Sequence, residues 1–155
     1  MPGRLIIICG LPGSGKTTLS RQLAATRQAF RLSPDEWMAT LGVNLWASDV
    51  RARVEVLQWD VAQDLLRLGN TVIIEWGTWG REERAALRDG ARQLGAAVEL
   101  HYLDVPVDEL WRRVQERNLE DPPIERPTLE QWAESFEVPD AEELSLFDTP
   151  AGYTP

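Results

Sequence analysis

The feature that most constrains this chain is a junction. The apolar run LIIIC, Leu5 to Cys9, passes directly into GLPGSGKTT, Gly10 to Thr18. An apolar run of this length reads as a buried strand, and Leu19 and Leu23 then fall at helical spacing. Strand, glycine-rich loop and helix follow one another with no room for another element. Gly10, Gly15, Lys16 and Thr17 fit the spacing G-x-x-x-x-G-K-[ST]. Glycines let backbone N–H groups turn inward and approach an anion with no Cβ in the way. The following helix adds the positive end of its dipole. The loop Gly10, Leu11, Pro12, Gly13, Ser14, Gly15, Lys16, Thr17 and Thr18 is therefore a cradle for a nucleoside triphosphate. Lys16 is placed to reach its outer phosphates, and the Thr17 hydroxyl to ligate Mg²⁺. The plainer alternative, a glycine-rich β–α turn, explains the glycines but not the lysine and threonine that follow them.

Beyond the loop, apolar patterning alternates between strand and helix. The spacing predicts a helix over Ser14–Ala25, a short strand over Ala29–Leu32, and a helix from Pro34 to about Leu41 capped by Ser33. Ser48 is expected to cap a long helix that Gly69 stops. Thr71–Ile74 reads as a strand, Arg81–Leu94 as a helix, Ala97–Leu103 as a strand and Val107–Asn118 as a helix. The segment Leu119–Pro127 holds three prolines and reads as a loop, after which Thr128 is expected to cap a last helix to Phe136. Strands without clean alternation suit a parallel sheet covered on both faces. The expected fold is an α/β three-layer sandwich of the P-loop type, with a short parallel sheet and a helical lid. One domain over residues 1–147, with the lid at about 113–127, would be followed by a disordered tail over 148–155.

Phosphoryl transfer needs an acceptor side as well as a cradle. Parallel strands end on one edge, where ligands of open α/β sheets gather. The second strand ends in RLSPDEW, so Asp35 and Glu36 are candidates for the base, although acids also favour a first helical turn for the dipole alone. The third strand ends in IIEWGTW. Glu75 there can hold Mg²⁺ through water or fix a neighbouring arginine. Trp37, Trp46, Trp76 and Trp79 lie at or near this edge and together suggest an acceptor pocket, with Thr78 beside it. Trp59, Trp111 and Trp132 fall within helices and read as core. Arg113 and Arg117 share a helix face just before the proline-rich loop, where guanidinium groups can close over phosphates. Acid-to-base pairs with Asp108 and Glu109 explain one or two of the arginines here, Arg112 among them, without any function. Arg126 is a weaker lid candidate, and His101 reads as a sheet residue.

Charge narrows the partners. There are 25 Asp+Glu against 16 Lys+Arg, a formal net charge of −9, and Lys16 is the sole lysine. A groove that tracks a polynucleotide is normally rich in both basic residues, so a long nucleic acid is not the expected partner. Cys9, the single cysteine, permits no internal disulfide and suits a buried position. Leu5–Cys9 is too short for a secretory h-region, and no apolar run approaches a membrane span, so the expected location is cytoplasmic. No His/Cys cluster suggests zinc.

Taken together, GLPGSGKTT, LSPDEW, VIIEWGTW with Arg81 and Arg84, ELWRRVQERN and WAESFEVPDAEEL resemble the small P-loop kinases of the polynucleotide-kinase type, a group that includes chloramphenicol phosphotransferase and zeta-toxin-like kinases. The resemblance spans about residues 4–144. It implies ATP and Mg²⁺ as cofactors, Asp35 as the acceptor-activating aspartate, and Arg113 and Arg117 as lid arginines. The family's third strand commonly ends in aspartate, where this chain has Glu75. The resulting expectation is an ATP-dependent kinase acting on a hydroxyl of a small molecule, such as a nucleoside, antibiotic or sugar-like acceptor, working as a monomer or small homo-oligomer. The alternatives are a P-loop ATPase module that transfers nothing, and a nucleic-acid 5′-hydroxyl kinase. No motif distinguishes ATP from GTP.

Overall fold

The computed structural model describes residues 2–150. Among these residues the elements run β1 (Arg4–Cys9), α1 (Lys16–Arg27), β2 (Phe30–Leu32), α2 (Pro34–Thr40), α3 (Ser48–Arg67), β3 (Thr71–Gly77), α4 (Arg81–Gln93), β4 (Ala97–Tyr102), α5 (Val107–Arg117), α6 (Arg126–Ser135) and α7 (Ala141–Leu144). The four strands form one parallel sheet in the order β2-β3-β1-β4. This is the α/β sandwich that the alternation of apolar runs predicts.

Successive side chains of a strand point to opposite faces, so β1 divides its residues between two layers. Leu5 and Ile7 join Val72, Ile74 and Val98 against Ala62 and Leu66 of α3 and Leu87 and Ala91 of α4. Ile6 and Ile8 join Ile73 against Leu19 and Leu23 of α1. Both faces are covered, which is why the strand has no polar alternation to show. A third cluster, Leu110, Val114, Ile124 and Leu129, packs α5 to α6.

The α1 face of the sheet also carries two buried carboxylates, each clamped by arginine. Glu99 of β4 is fully buried, takes a two-pronged pair from Arg27 at the end of α1, and meets Arg4 at 2.9 Å. Glu75 of β3 is held by Arg31 at 2.9 Å and by the buried Ser20 hydroxyl.

Several expected boundaries move. The helix α1 begins at Lys16, not Ser14, because Gly13 and Gly15 hold φ of +83° and +98° and keep the chain in the loop. Ser33 caps α2 as expected, accepting from Glu36 N. Ser48 does not cap α3; it is the first helical residue, after Ala47. The strand β3 runs on through Gly77, so Glu75 and Trp76 belong to the strand itself. Thr128 does not cap the last long helix: α6 starts two residues earlier, at Arg126, with Pro127 in its first turn where its missing N–H costs nothing. The sequence reading lacks α7, a single turn capped by Asp140, which accepts from Glu143 N.

The expected disordered tail also starts too early. Asp148 donates its backbone N–H to Val98 O, accepts from Val98 N, and pairs with Arg92. The remainder of that tail, 151–155, lies outside the described residues.

Candidate active site

The phosphate loop leaves the end of β1 and is pinned there by Gly10 N donating to Gly77 O of the neighbouring strand. Two contacts explain its glycines. A Cβ on Gly10 would lie 2.5 Å from Ser14 Oγ, and one on Gly13 would lie 3.1 Å from Leu110 O and Val114 Cγ2 of α5. The loop is thus folded tightly upon itself and against α5.

Lys16 turns back over this loop, donating from Nζ to Gly10 O and Leu11 O, each at 3.0 Å. Among the described residues it has no carboxylate within salt-bridge distance. Burial pushes its ammonium down to about 8; Asp35 and Glu75 oppose that shift, and Arg117 adds to it. These charges act on the lysine through space, none of them in salt-bridge contact with it. The loop residue Thr17 is exposed at the first turn of α1, as is Thr18.

Three buried polar atoms around the cradle have no protein partner: Ser14 Oγ, Thr78 Oγ1 and Arg117 Nε. An unpaired buried donor costs about 1–3 kcal/mol, so such atoms collect where a ligand completes them. Thr78 carries a second cost. Its φ is +44°, in the left-handed region that a β-branched residue rarely adopts. Three orphaned polar atoms, and a lysine bound only to loop carbonyls, fit a polyphosphate. For Mg²⁺, the Thr17 hydroxyl is available, whereas both Glu75 oxygens are engaged, one by Ser20 and one by Arg31. Of the two roles open to Glu75, fixing an arginine is the one its contacts display.

The acceptor side is built from the ends of β2 and β3. Asp35 lies in the first turn of α2, with Oδ1 2.5 Å from Arg51 Nη2 of α3. Its neighbour Glu36 is turned away, taken by Arg31 at 2.7 Å and Arg21 at 2.9 Å. One turn along α3 from Arg51 is Glu55, whose carboxyl is pushed up to about 7 by burial and by Glu83, with Arg51 opposing. Farther along, Gln58 is fully buried and accepts from Trp76 Nε1 at 2.8 Å.

The tryptophans divide. Trp37 and Trp76 pack against the core beneath α3, and so does Trp59. Trp79 and Trp46 instead flank Trp132, each 5.7 Å away centroid to centroid. Trp132 packs against the Leu110, Val114, Ile124 and Leu129 cluster, as expected of a core residue, and is also the middle member of this aromatic row.

The helix α5 brings its arginines over the loop. Arg113 Nη1 donates to Gly13 O at 3.2 Å, while its Nε is held by Glu109. Arg117 pairs with Glu120 at 2.6 Å. Arg112 stays in exposed pairs with Glu109 and Glu116, as helix spacing alone explains. Arg126 likewise binds Asp108 and Glu130 outside the site. His101 Nε2 lies 3.2 Å from Glu99 Oε1 within the buried arginine clamp.

Of the residues singled out in the sequence, Lys16 and Arg113 both bind main-chain carbonyls of the phosphate loop. Ser20, Arg31, Arg51 and Glu55 were not among those singled out. Each of these lies on a helix or strand where a polar residue gives no sequence-local hint of what it will face. Arg51 and Glu55 at i,i+4 were the one available sign, and that spacing also describes an ordinary exposed pair.

The family model described as an AAA domain matches residues 5–139. The chain belongs to that AAA domain family. Its fold is that of the small P-loop kinases. A putative kinase from Chloroflexus aurantiacus superposes with a TM-score of 0.70 at 24% identity, covering 90% of this chain and 83% of that one. Chaetomium thermophilum Kti12, solved in complex with ADP-AlF3, gives 0.68 at 25%, covering 89% and 82%. A gluconokinase from Sinorhizobium meliloti gives 0.63 at 20%, covering 91% and 78%. The chain spans only 38% of its match in the Pnkp1/Rnl/Hen1 complex, at a TM-score of 0.63 and 25% identity. No helix among the described residues is long and apolar enough to cross a membrane.

Proposed function

We propose that this protein is an ATP-dependent kinase that transfers the γ-phosphoryl group to a hydroxyl of a small molecule in the cytoplasm. The observation that carries the proposal is the setting of Lys16. Its ammonium is anchored on two loop carbonyls with no salt-bridge partner among the described residues, Asp35 and Glu75 act on its charge through space, and Arg113 of α5 donates to the same loop.

Each residue then has a task. Gly10–Thr18 and Lys16 hold the triphosphate, and Thr17 would hold Mg²⁺, which supplies charge neutralisation between the phosphates when bound. The acceptor hydroxyl lies between α2 and the Glu75–Trp79 segment. Arg51 occupies Oδ1 of Asp35, which leaves Oδ2 to take the proton from that hydroxyl. Arg113 and Arg117 neutralise charge that develops on the transferring group. Glu36, Trp37 and Trp76 support the acceptor wall from behind, while Thr78 and Trp79 face it.

A small acceptor agrees with the net charge of −9 and with the likeness to a gluconokinase. The likeness to Kti12 supports the other reading, a nucleotide-binding module that transfers nothing. The two separate when ADP release from Mg·ATP is followed across nucleosides, antibiotics, sugars and oligonucleotides. A large rise with one compact acceptor supports the kinase. A uniformly slow background supports the module.

A further inference from the structure

Two loops on opposite sides of this site are tied together. After α2, Asn44 Nδ2 donates to Asp121 O and Trp46 Nε1 donates to Pro122 O, each at 2.7 Å. Asp121 and Pro122 belong to the loop that follows the arginine helix α5. The Trp46 ring, although 38% exposed, is also seated 5.7 Å from Trp132 of α6, which in turn meets Trp79 after β3. Residues 41–47 are bounded by Asp35 on one side and by its partner Arg51 on the other. Residues 118–125 follow directly from Arg113 and Arg117, and Arg113 rests on the phosphate loop. The protein thus closes a ring: phosphate loop, α5, the 118–125 loop, the 41–47 loop, α2 and, through the Arg21–Glu36 pair, α1, which continues the phosphate loop. Lys16 opens α1 and Asp35 lies in α2, so both belong to it.

The acceptors of the bonds are main-chain carbonyls. The donors are two side chains of types that need not have stood there, an amide and an indole. Neither bond is required by the core, since both are solvent-exposed.

We propose that Asn44 and Trp46 are specificity-determining residues. They latch the lid to the acceptor loop and close the site to any acceptor longer than a compact small molecule. The inference rests on the reading of Arg113 and Arg117 as a lid over bound phosphates. A chain-like acceptor would have to thread the ring, whereas a small one enters and leaves during brief opening of two hydrogen bonds.

The latch is tested in the nucleotide-free protein by limited digestion with endoproteinase Glu-C, following the cut after Glu120 by mass spectrometry. In the double variant Asn44→Ala/Trp46→Phe, which keeps a ring beside Trp132, that cut is expected to accelerate about tenfold relative to cuts elsewhere, as loss of two hydrogen bonds implies. The single variants give about threefold each and serve if the pair compromises folding. An unchanged cut rate overturns the latch. Release of a fluorescent ADP analogue is expected to quicken by a similar factor in the double variant; equal release overturns the link to the lid. Wild-type protein with γ-labelled ATP is expected to leave a 5′-hydroxyl decanucleotide unlabelled, and labelling would overturn the closed ring. If the analogue binds neither protein, the kinase reading falls while the digestion still judges the latch.

Discussion

Arg51 Nη2 stands 2.5 Å from Asp35 Oδ1, and no other described side chain contacts that carboxylate. The pair joins the first turn of α2 to the fourth residue of α3. It orients the one carboxylate at the acceptor edge that is not consumed by structural pairing, since Glu36 and Glu75 are both bound by Arg31.

Asp35→Asn keeps the shape of the side chain and removes its capacity to take a proton. Transfer is expected to fall about 10²–10⁴-fold, the usual scale of general-base assistance, while nucleotide affinity changes by less than about threefold. Steady-state ADP release with the acceptor found by screening, beside titration calorimetry, measures both. Equal turnover in the variant removes Asp35 from the chemistry.

Lys16 gives a pH dependence of definite sign. Burial lowers its pKa in the fold from 10.5 to about 8, so the unfolded chain holds this proton more tightly. Between about pH 8 and 10.5 this residue therefore makes the free protein more stable as pH rises. Polyphosphate binding runs the opposite way, because it favours the ammonium. Affinity for Mg·ADP is expected to weaken above pH 8, by up to about tenfold per pH unit, with net proton uptake on binding at pH 8.5. Calorimetry in buffers of different ionisation heat reads the uptake directly, and its absence would contradict the assigned role.

Glu99 acts at the other end of the scale. Burial works to raise its pKa, and contacts from His101, Arg27 and Arg4 override it, holding the carboxyl at about 2 in place of 4.5. The stabilisation is present above about pH 4.5 and is lost as pH falls towards 2. Glu99→Gln leaves the partly buried guanidinium groups of Arg27 and Arg4 without their shared carboxylate and is expected to cost about 2–3 kcal/mol at pH 7. Urea melts at pH 7 and pH 2.5 should show that difference shrinking on acidification.

Arg84 and Glu143 are both buried, and they join α4 to α7 through two hydrogen bonds of 2.6 and 2.9 Å. Arg84 also donates to Thr78 O and Glu137 O, which ties the C-terminal segment to the loop carrying Thr78 and Trp79. Glu143→Ala is expected to destabilise by about 3–5 kcal/mol, and Arg84→Met/Glu143→Leu to recover much of it. Thermal melts of the two variants check this; a mild effect of Glu143→Ala would show that the pair is not needed to hold the segment.

What the sequence made legible follows from range. The phosphate loop could be read residue by residue because its chemistry depends on neighbours in the chain: glycine freedom, a lysine, and a hydroxyl at a helix start. β1 and β3 could be read from their apolar runs, and the alternation of strands with helices along the chain carried the assignment of a parallel sheet. Glu75 was legible as a carboxylate at the sheet edge able to fix an arginine, but its partners were not, because Ser20 and Arg31 reach it from 55 and 44 residues away. Trp132 was legible as a helix residue of the core and packs there, but its bridging of Trp46 and Trp79 was not, because that relation is set by how α6 packs. The turn α7 was invisible for a similar reason. Four residues make no periodicity, and this turn is fixed by the Arg84–Glu143 pair and the Asp140 cap.

The most direct test of the account is titration calorimetry of purified wild-type protein and Lys16→Ala with Mg²⁺ and ATP. The account predicts saturable one-to-one binding by the wild type and a severe loss of affinity in the variant. Absence of heat and of thermal protection at millimolar ATP, or equal binding by the two proteins, would contradict it.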